Sequence, residues 1–157
     1  MKILLAVDGS EHSAQTVEVV RSHSWPSGTA VRVLSVVDQV VPATPEAAIY
    51  SADRIEAERV QLTEAAEELT TRFANWLCSS GLAAERLVRS GDPKSVIPDE
   101  AEAWGADLIV VGSRGHTGIK RWLLGSVAQS VVSHAPCSVY VVREPRQRVE
   151  KDKSEDS

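Results

Sequence analysis

A chain of 157 residues has the length of one domain and can bury a substantial core. Its hydrophobic fraction of 43% and charged fraction of 25% are ordinary for a globular protein. The net charge of −5, without a visible cluster of Lys and Arg, argues against a nucleic-acid-binding protein, because such domains usually carry a basic face.

The N-terminal run and the cysteines bear on localisation. The apolar run that begins at Ile3 is cut off by Asp8, which makes it too short for a signal peptide or a membrane span. Cys78 and Cys137 lie far apart and lack a CxxC partner or a His at metal-ligand spacing. We therefore expect free thiols in a reducing compartment, a cytoplasmic protein and no membrane partner.

Apolar runs and turn residues predict five strands that alternate with four helices. The first strand is a continuous apolar run, which is typical of a strand buried on both faces of a parallel sheet. Arg32 interrupts the second strand, so the start of that strand is expected to be exposed. The alternation predicts an α/β fold with an open, doubly wound parallel sheet covered by helices on both faces. The strands are expected at residues 3–7, 30–37, 84–89, 107–111 and 137–142.

Capping residues and periodicity predict the helices. Ser10 or Ser13 is expected to cap the first helix, which ends before the turn residues 25–28. A loop is predicted at residues 38–50, and a long helix at residues 51–77. The inward face of that helix is predicted to consist of Ile55, Leu62, Ala66, Leu69, Phe73 and either Trp76 or Leu77.

The third helix carries the clearest signals. Asp92 is expected as its N-cap and Pro93 as its first residue, while Pro98 predicts a kink or a short 3₁₀ turn inside it. The fourth helix is predicted at residues 127–134. Residues 144–157 have almost no apolar side chains and are predicted to be a disordered tail, which leaves a domain of residues 1–143.

Residues 112–126 read G-S-R-G-H-T-G-I-K-R-W-L-L-G-S and connect the fourth strand to the fourth helix. A Gly-rich loop in this position is a common anion site, because backbone N–H groups point at the ligand and glycine lets a phosphate approach closely. Its spacing is neither the GxxxxGK[ST] of a Walker A loop nor the GxGxxG of a dinucleotide site. Ligands of open parallel sheets bind beyond the carboxyl ends of the strands, where this loop and the turn at Asp8 both lie.

The spacing of this loop is G-x2-G-x9-G-S, formed by Gly112, Gly115, Gly125 and Ser126. It resembles the signature of the ATP-binding branch of the universal stress protein family. Further similarity lies in the opening strand and acidic turn, the exit of the third strand, the fourth strand and the closing strand, at residues 3–10, 91–93, 107–115 and 135–142.

This resemblance implies a Rossmann-like five-stranded sheet of order 3-2-1-4-5, with ATP bound at the switch point between strands one and four. It implies that the backbone at Val36 holds the adenine, which also contacts the region of Ala6 and Val7. Asp8 is implied to lie near the ribose and phosphates, with Mg²⁺ or water between them because a carboxylate repels a triphosphate. The residues implied to line the ribose and phosphate path are Val111, Gly112, Arg114, Gly115, Gly125, Ser126 and Val127.

Plainer alternatives remain open for several of these residues. Asp8 could form only a strand-to-helix turn, Ser126 could cap its helix, and Arg114 could be a solvated loop charge. His116 has no identifiable Ser or Asp partner, so no catalytic residue is predicted. Residues 116–124 are interpreted as a flap whose ordering reports whether nucleotide is bound.

The leading hypothesis is a stress-response protein that binds ATP and acts as a sensor or regulator. Two alternatives stay open: a slow ATP hydrolase or adenylyl-transfer enzyme, and a dimeric adaptor that does not use nucleotide. The resemblance also implies a homodimer through the last strand, within Ser138–Val142. Val139, Val141 and Val142 would form its apolar edge, and pairing would hide an exposed edge of the sheet.

Overall fold

The computed structural model describes residues 1–38, 45–115 and 124–143, and it describes residues 45–51 by their backbone alone. Five strands and four helices alternate along these residues. The strands are β1 (Lys2–Val7), β2 (Ala30–Val37), β3 (Ala83–Ser90), β4 (Leu108–Gly112) and β5 (Ser138–Val142). The helices are α1 (Glu11–Ser22), α2 (Pro45–Ser79), α3 (Pro93–Trp104) and α4 (Ser126–His134).

The strands form one parallel sheet of order β3-β2-β1-β4-β5. Its two faces carry separate apolar clusters, because successive strand residues point to opposite sides. α1 and α2 cover the face that contains Ile3 and Leu5, whereas α3 and α4 cover the face that contains Leu4 and Ile109. The predicted fold class, the strand order and the placement of helices on both faces are confirmed.

The strands separate at the carboxyl edge of the sheet. β1 pairs with β2 as far as Val7 and Ser35, but it pairs with β4 only from Ile3–Leu108 to Leu5–Val110. β2 continues beyond β1, since its pairing with β3 runs on to Val37 and Ser90. A crevice therefore opens above β1, at the point where the strand order reverses.

Helix α2 is longer than predicted. It begins at Pro45, so the loop predicted for residues 38–50 is wrong from residue 45 onward. Proline is tolerated in the first turn of a helix, because the N–H that it lacks has no intrahelical partner there. Residues 39–44 lie outside the described residues.

The inward face of α2 is only partly as predicted. Ala66, Phe73 and Leu77 are buried in the described structure, whereas Leu62 and Trp76 are exposed. Leu62 borders a cavity rather than the core. Trp76 lies at the surface, where the Arg21 guanidinium lies 5.5 Å from the centroid of its ring.

Helix α3 begins at the predicted cap and contains an internal proline. Asp92 is its N-cap, as predicted, and accepts a hydrogen bond from the Lys94 N–H at 3.0 Å. The 3₁₀ turn offered as one alternative at Pro98 is wrong, because α3 continues as α-helix through this residue. Pro98 leaves the Lys94 carbonyl without its usual helical donor, and the Ser130 hydroxyl of α4 lies 3.5 Å from that oxygen.

The start of β2 is covered rather than exposed, contrary to the prediction from Arg32. The Arg32 guanidinium forms ion pairs with Glu85 at 2.7 Å and with Glu100 at 2.9 Å. It also lies 4.3 Å from the centroid of the Trp104 ring. The charged side chain of Arg32 can therefore lie in β2 because its carboxylate partners and an aromatic face enclose it.

The described helices contain no segment that combines the length and the apolar composition of a membrane span.

Candidate functional site

A cavity of about 950 Å³ opens at the carboxyl edge of the sheet, above the point where β1 and β4 separate. It is bordered by the turn after β1, the end of β2, the loop after β4 and the first turns of α3 and α4. All residues that the resemblance implied for nucleotide binding line this cavity: Ala6, Val7, Asp8, Val36, Val111, Gly112, Arg114, Gly115, Gly125, Ser126 and Val127.

Asp8 holds the turn between β1 and α1 together. Its Oδ1 atom accepts hydrogen bonds from the Ser10 N–H at 3.1 Å, the Ser10 hydroxyl at 2.6 Å and the Ser13 hydroxyl at 2.9 Å. Ser10 occupies the N-cap position of α1 without making a capping hydrogen bond, because its hydroxyl bonds to Asp8. Ser13 lies inside the helix, so it is not the cap. Asp8 therefore has a structural role and also borders the cavity.

The motif glycines are packed against protein atoms. A Cβ on Gly115 would lie 2.7 Å from Oδ2 of Asp8, and a Cβ on Gly125 would lie 3.2 Å from the Ser113 carbonyl oxygen. At Gly112 the nearest protein atoms would lie at 3.3 Å. These glycines let the loop after β4 approach the turn after β1 and the start of α4. Glycine is therefore required at these positions by the packing of the protein itself, independently of any ligand.

Backbone hydrogen bonds connect β5, the Gly-rich loop and α4. The Ser113 N–H donates to the Val142 carbonyl and the Gly125 N–H donates to the Ser113 carbonyl, both at 2.8 Å. Gly125 is the N-cap of α4 and Ser126 its first residue, so the alternative that Ser126 caps the helix is wrong. No side chain caps this helix, and Val127 in its first turn lines the cavity. The N–H groups of that turn can therefore face an anion.

The cavity carries charges of both signs. Lys94 and Arg114 bring positive charge to its lining, whereas Asp8, Asp38 and Asp92 bring negative charge. The N-termini of α1, α3 and α4 all lie at this edge of the sheet, and their dipoles add partial positive charge. An anionic group is therefore best accommodated near α4 and Arg114.

Several lining residues were missed by sequence reasoning. Leu62, Ala65, Ala66 and Leu69 come from α2, and Lys94 and Ile97 from α3. Ser35 had a visible signal, as a polar residue inside an apolar strand, whereas the helical residues had none because only the folded chain brings them to this edge. The remaining lining residues that were missed are Ser13, Thr16, Leu34, Val37, Asp38, Asp92, Pro93 and Ala128.

The middle of the Gly-rich loop lies outside the described residues, as does the predicted tail at residues 144–157. The proposed flap of residues 116–124 is therefore described only at Leu124, which packs against the core beneath α3 and α4. His116, which was not assigned as a base, belongs to the part that is not described.

Comparison with known proteins identifies relatives along most of the chain. The model of the universal stress protein family matches residues 1–143. A protein of Staphylococcus aureus (strain USA300) that carries the universal stress protein name is 32% identical over 143 residues, which cover 90% of this chain and 82% of that protein.

Solved structures share the fold. The hypothetical protein MJ0577 superimposes with a TM-score of 0.80 at 28% identity, covering 92% of this chain and 96% of the other. Universal stress protein UspA from Lactobacillus plantarum gives a TM-score of 0.72 at 28% identity, with coverage of 91% and 97%.

Three neighbours at lower identity were solved with adenine nucleotides. They are an Arabidopsis thaliana protein with AMP, a universal stress protein with cAMP and an Archaeoglobus fulgidus protein with dAMP, at 23%, 22% and 20% identity and TM-scores of 0.65, 0.57 and 0.59. The first covers 99% of both chains, the second 91% of this chain and 96% of its own, and the third 90% and 96%. At this identity the likeness shows the shared fold. From the family match and the Staphylococcus aureus relative, the chain belongs to the universal stress protein family.

Proposed function

We propose that this chain binds an adenine nucleotide, ATP, in the cavity at the carboxyl edge and acts in the cytoplasm as a stress-response sensor or regulator. This would place it in the ATP-binding branch of its family. The observation that carries the proposal is the convergence of Asp8, the end of β2 and the G-x2-G-x9-G-S residues on one cavity. Its volume of about 950 Å³ lies within the range of roughly 300–1,000 Å³ that is usual for small-molecule sites.

The end of β2 suits the base. β1 provides no pairing partner beyond Ser35, so the edge of β2 at Val36 is open on the β1 side. Leu34, Ile97 and Val111 line the cavity on the α3–α4 side and offer an apolar surface to a ring. In our proposal the Val36 backbone bonds the adenine edge, while Ala6 and Val7 lie beside the ring.

The start of α4 suits the phosphates. Its first turn lacks a side-chain cap, and Ser126 and Val127 line the cavity there. Arg114 lies on the same side and supplies a full positive charge. In our proposal these groups bind the phosphates, while Gly112, Gly115 and Gly125 keep the loop close enough to do so.

The described residues fit Mg²⁺ only in company with the nucleotide. They contain no group of three His, Cys, Asp or Glu side chains that could hold a metal ion. Mg²⁺ often binds through one or two carboxylates together with substrate phosphates, and Asp8 could supply such a carboxylate. Its Oδ1 atom already accepts three hydrogen bonds. In our proposal Asp8 meets the ion directly or through a water molecule.

Calorimetric titration tests this proposal. Nucleotide-stripped protein should bind Mg-ATP more tightly than AMP, and AMP more tightly than adenosine, because each phosphate adds contacts near α4. Arg114→Gln should weaken ATP about ten-fold while leaving adenosine unchanged, since a charge-assisted hydrogen bond is lost. Absence of binding at millimolar ATP would exclude the proposal. Phosphate release measured on the same samples separates binding from slow hydrolysis.

We also propose that two copies pair through β5. Within the described sheet β5 pairs only with β4, so its outer edge is unpaired. Val139 and Val141 are partly exposed there, whereas Val142 is buried and would contribute little side-chain surface. Light scattering should give twice the chain mass, and a monomeric mass would contradict the pairing.

A further inference from the structure

Ser35 is a polar residue in an otherwise apolar row of β2. Alternate residues of a strand share a face, so Ser35 lies on the α1–α2 side with Val31, Val33 and Val37. All three valines are buried, and Ser35 itself is only 4% exposed. A valine at position 35 would continue the row. Serine instead removes apolar contact and adds a hydroxyl whose burial is unfavourable unless it is hydrogen-bonded.

The Ser35 hydroxyl makes no hydrogen bond to any residue in the described part of the chain. Two other buried hydroxyls contrast with it, since Thr29 donates to the Pro26 carbonyl at 2.7 Å and Thr70 to the Ala66 carbonyl at 2.8 Å. No described side-chain polar atom is both sealed from solvent and unpartnered. The Ser35 oxygen is therefore open to solvent, and the surface that this residue lines is the cavity.

The position of Ser35 indicates which part of a ligand it meets. It is the last residue of β2 that pairs with β1, opposite Val7, and it directly precedes Val36. On its own face the cavity is also lined by Val37, Ala66 and Leu69, which are apolar, and by the Ser13 and Thr16 hydroxyls of α1, which already donate hydrogen bonds within the protein. Such a wall with one uncommitted hydroxyl suits a flat ring that carries polar ring atoms. The groups suited to phosphate belong instead to the loop after β4 and to α4.

We propose that the Ser35 hydroxyl hydrogen-bonds a ring nitrogen of the purine base, which makes Ser35 a specificity-determining residue of this site. This inference rests on the proposed binding of an adenine nucleotide. The base would be held at its edge by the Val36 backbone and would receive a separate contact from Ser35 on the α1–α2 side. A hydroxyl that gives the folded chain no internal hydrogen bond would thereby gain its partner from the ligand.

The first experiment compares Ser35→Ala with Thr29→Val in the full chain, by ATP titration and by urea unfolding. Ser35→Ala should weaken ATP about five-fold, the effect of one neutral hydrogen bond, without lowering the urea midpoint. Thr29→Val should lower the urea midpoint and leave ATP affinity unchanged, because its hydroxyl bonds within the protein and does not line the cavity.

The second experiment locates the contact with 3-deaza-ATP and 7-deaza-ATP, each of which lacks one ring nitrogen. One of them should bind the wild-type chain about five-fold more weakly than ATP, and this difference should vanish in Ser35→Ala, since both changes remove the same hydrogen bond. If the loss of affinity from Ser35→Ala adds to the loss from the deaza analogue, the two changes remove different contacts and the assignment to the base is overturned. The assignment is also overturned if Ser35→Ala instead abolishes the difference in affinity between ATP and 2′-deoxy-ATP.

The two proposals fail in different ways. If the wild-type chain does not bind ATP, the proposed function falls and the role of Ser35 falls with it. If ATP binds but Ser35→Ala retains full affinity, only the role of Ser35 is overturned, and its hydroxyl then serves a water molecule in the cavity.

Discussion

The two edges of the sheet are built in opposite ways. At the amino edge the strands are tied together: the Lys2 N–H donates to Asp107 Oδ2 at 2.7 Å, and the Asp107 N–H donates to the Lys2 carbonyl at 2.8 Å. The Ala30 N–H likewise donates to the Met1 carbonyl at 2.9 Å. At the carboxyl edge, pairing of β1 with β4 ends at Leu5, and a cavity follows.

The polar groups of the two edges differ in the same way. Near the amino edge Arg32 forms ion pairs with Glu85 and Glu100 and lies against the Trp104 ring. Glu100 also pairs with Arg89, which lies farther along β3. Near the carboxyl edge the Ser35 hydroxyl and the first turn of α4 have no side-chain partner among the described residues. If the proposed function holds, the amino edge contributes stability while the polar groups of the carboxyl edge bind the ligand.

Glu100→Ala should give the largest effect and tests the amino edge. The Glu100 side chain is 12% exposed and accepts hydrogen bonds from Arg32 at 2.9 Å and Arg89 at 3.1 Å. Its loss leaves the half-buried Arg32 with only Glu85, so we expect the free energy of unfolding in urea to fall by about 2 kcal/mol. ATP affinity should stay the same, and a lower affinity would show that the two edges are coupled.

Glu18→Ala is the matched control for that change. Glu18 also forms an ion pair, with Arg21 at 2.7 Å, but the pair is exposed on the surface of α1. The Arg21 guanidinium lowers the pKa of Glu18 through a hydrogen bond, yet water screens the pair. We expect no measurable change in the urea midpoint at pH 7. A loss of stability as large as that expected for Glu100→Ala would contradict the distinction between the exposed and the largely buried ion pair.

Gly115→Ala should give the next largest effect and tests the carboxyl edge. The new methyl group would lie 2.7 Å from Asp8 Oδ2, and three hydrogen bonds to Oδ1 resist movement of that carboxylate. The loop after β4 must therefore shift, and we expect titration to show about a ten-fold loss of ATP affinity, or about 1.4 kcal/mol. If the variant kept its full ATP affinity, Gly115 would not be needed for ligand binding.

Gly105→Ala is the corresponding control at the other edge. Gly105 ends α3 with φ +67°, and a Cβ there would meet no atom within 4 Å. The left-handed backbone makes alanine unfavourable, so the free energy of unfolding should fall by about 1 kcal/mol without a change in ATP affinity. Gly115→Ala should thus lower ATP affinity, whereas Gly105→Ala should lower only the stability of the fold. Similar losses of ATP affinity in both variants would contradict the contrast between the two edges.

The sequence predicted features that depend on neighbouring residues better than features that depend on distant ones. The cap at Asp92 is local and was predicted at the correct position. The end of β4 is also local, and it lies at Gly112, one residue beyond the predicted strand. At Pro98 the predicted 3₁₀ turn was wrong, and a hydroxyl of α4, distant in sequence, lies near the carbonyl that this proline leaves without its helical donor. Arg32 was misread because its carboxylate partners come from β3 and α3.

The cavity shows the same limit. The strand order placed the turn at Asp8 beside the Gly-rich loop, so the two principal walls of the site followed from the fold class. The wall from α2 did not, because Leu62 and Leu69 match an ordinary core-facing stripe. Whether such a stripe contacts the core or a cavity depends on how far the helix extends past the strands, which local spacing does not encode.

The smallest expected effect concerns Cys137, at the amino edge, and the exposed Cys78 serves as its comparison. Burial, and then the charge of Asp107, raise the pKa of Cys137, while a backbone hydrogen bond with Ile109 opposes them. At pH 8 Cys137 should therefore react with iodoacetamide more slowly than Cys78, as peptide mass spectrometry can measure. Asp107→Asn should raise the rate at Cys137 about three-fold, since one negative charge is removed while an oxygen remains for the Lys2 N–H.

Because the raised pKa of Cys137 favours the protonated thiol in the folded chain, this contribution to stability is complete below the ordinary thiol pKa and is lost as pH rises through the raised one. Equal rates at both cysteines would show that the amino edge opens as readily as the surface, and the contrast between the two edges would then fail.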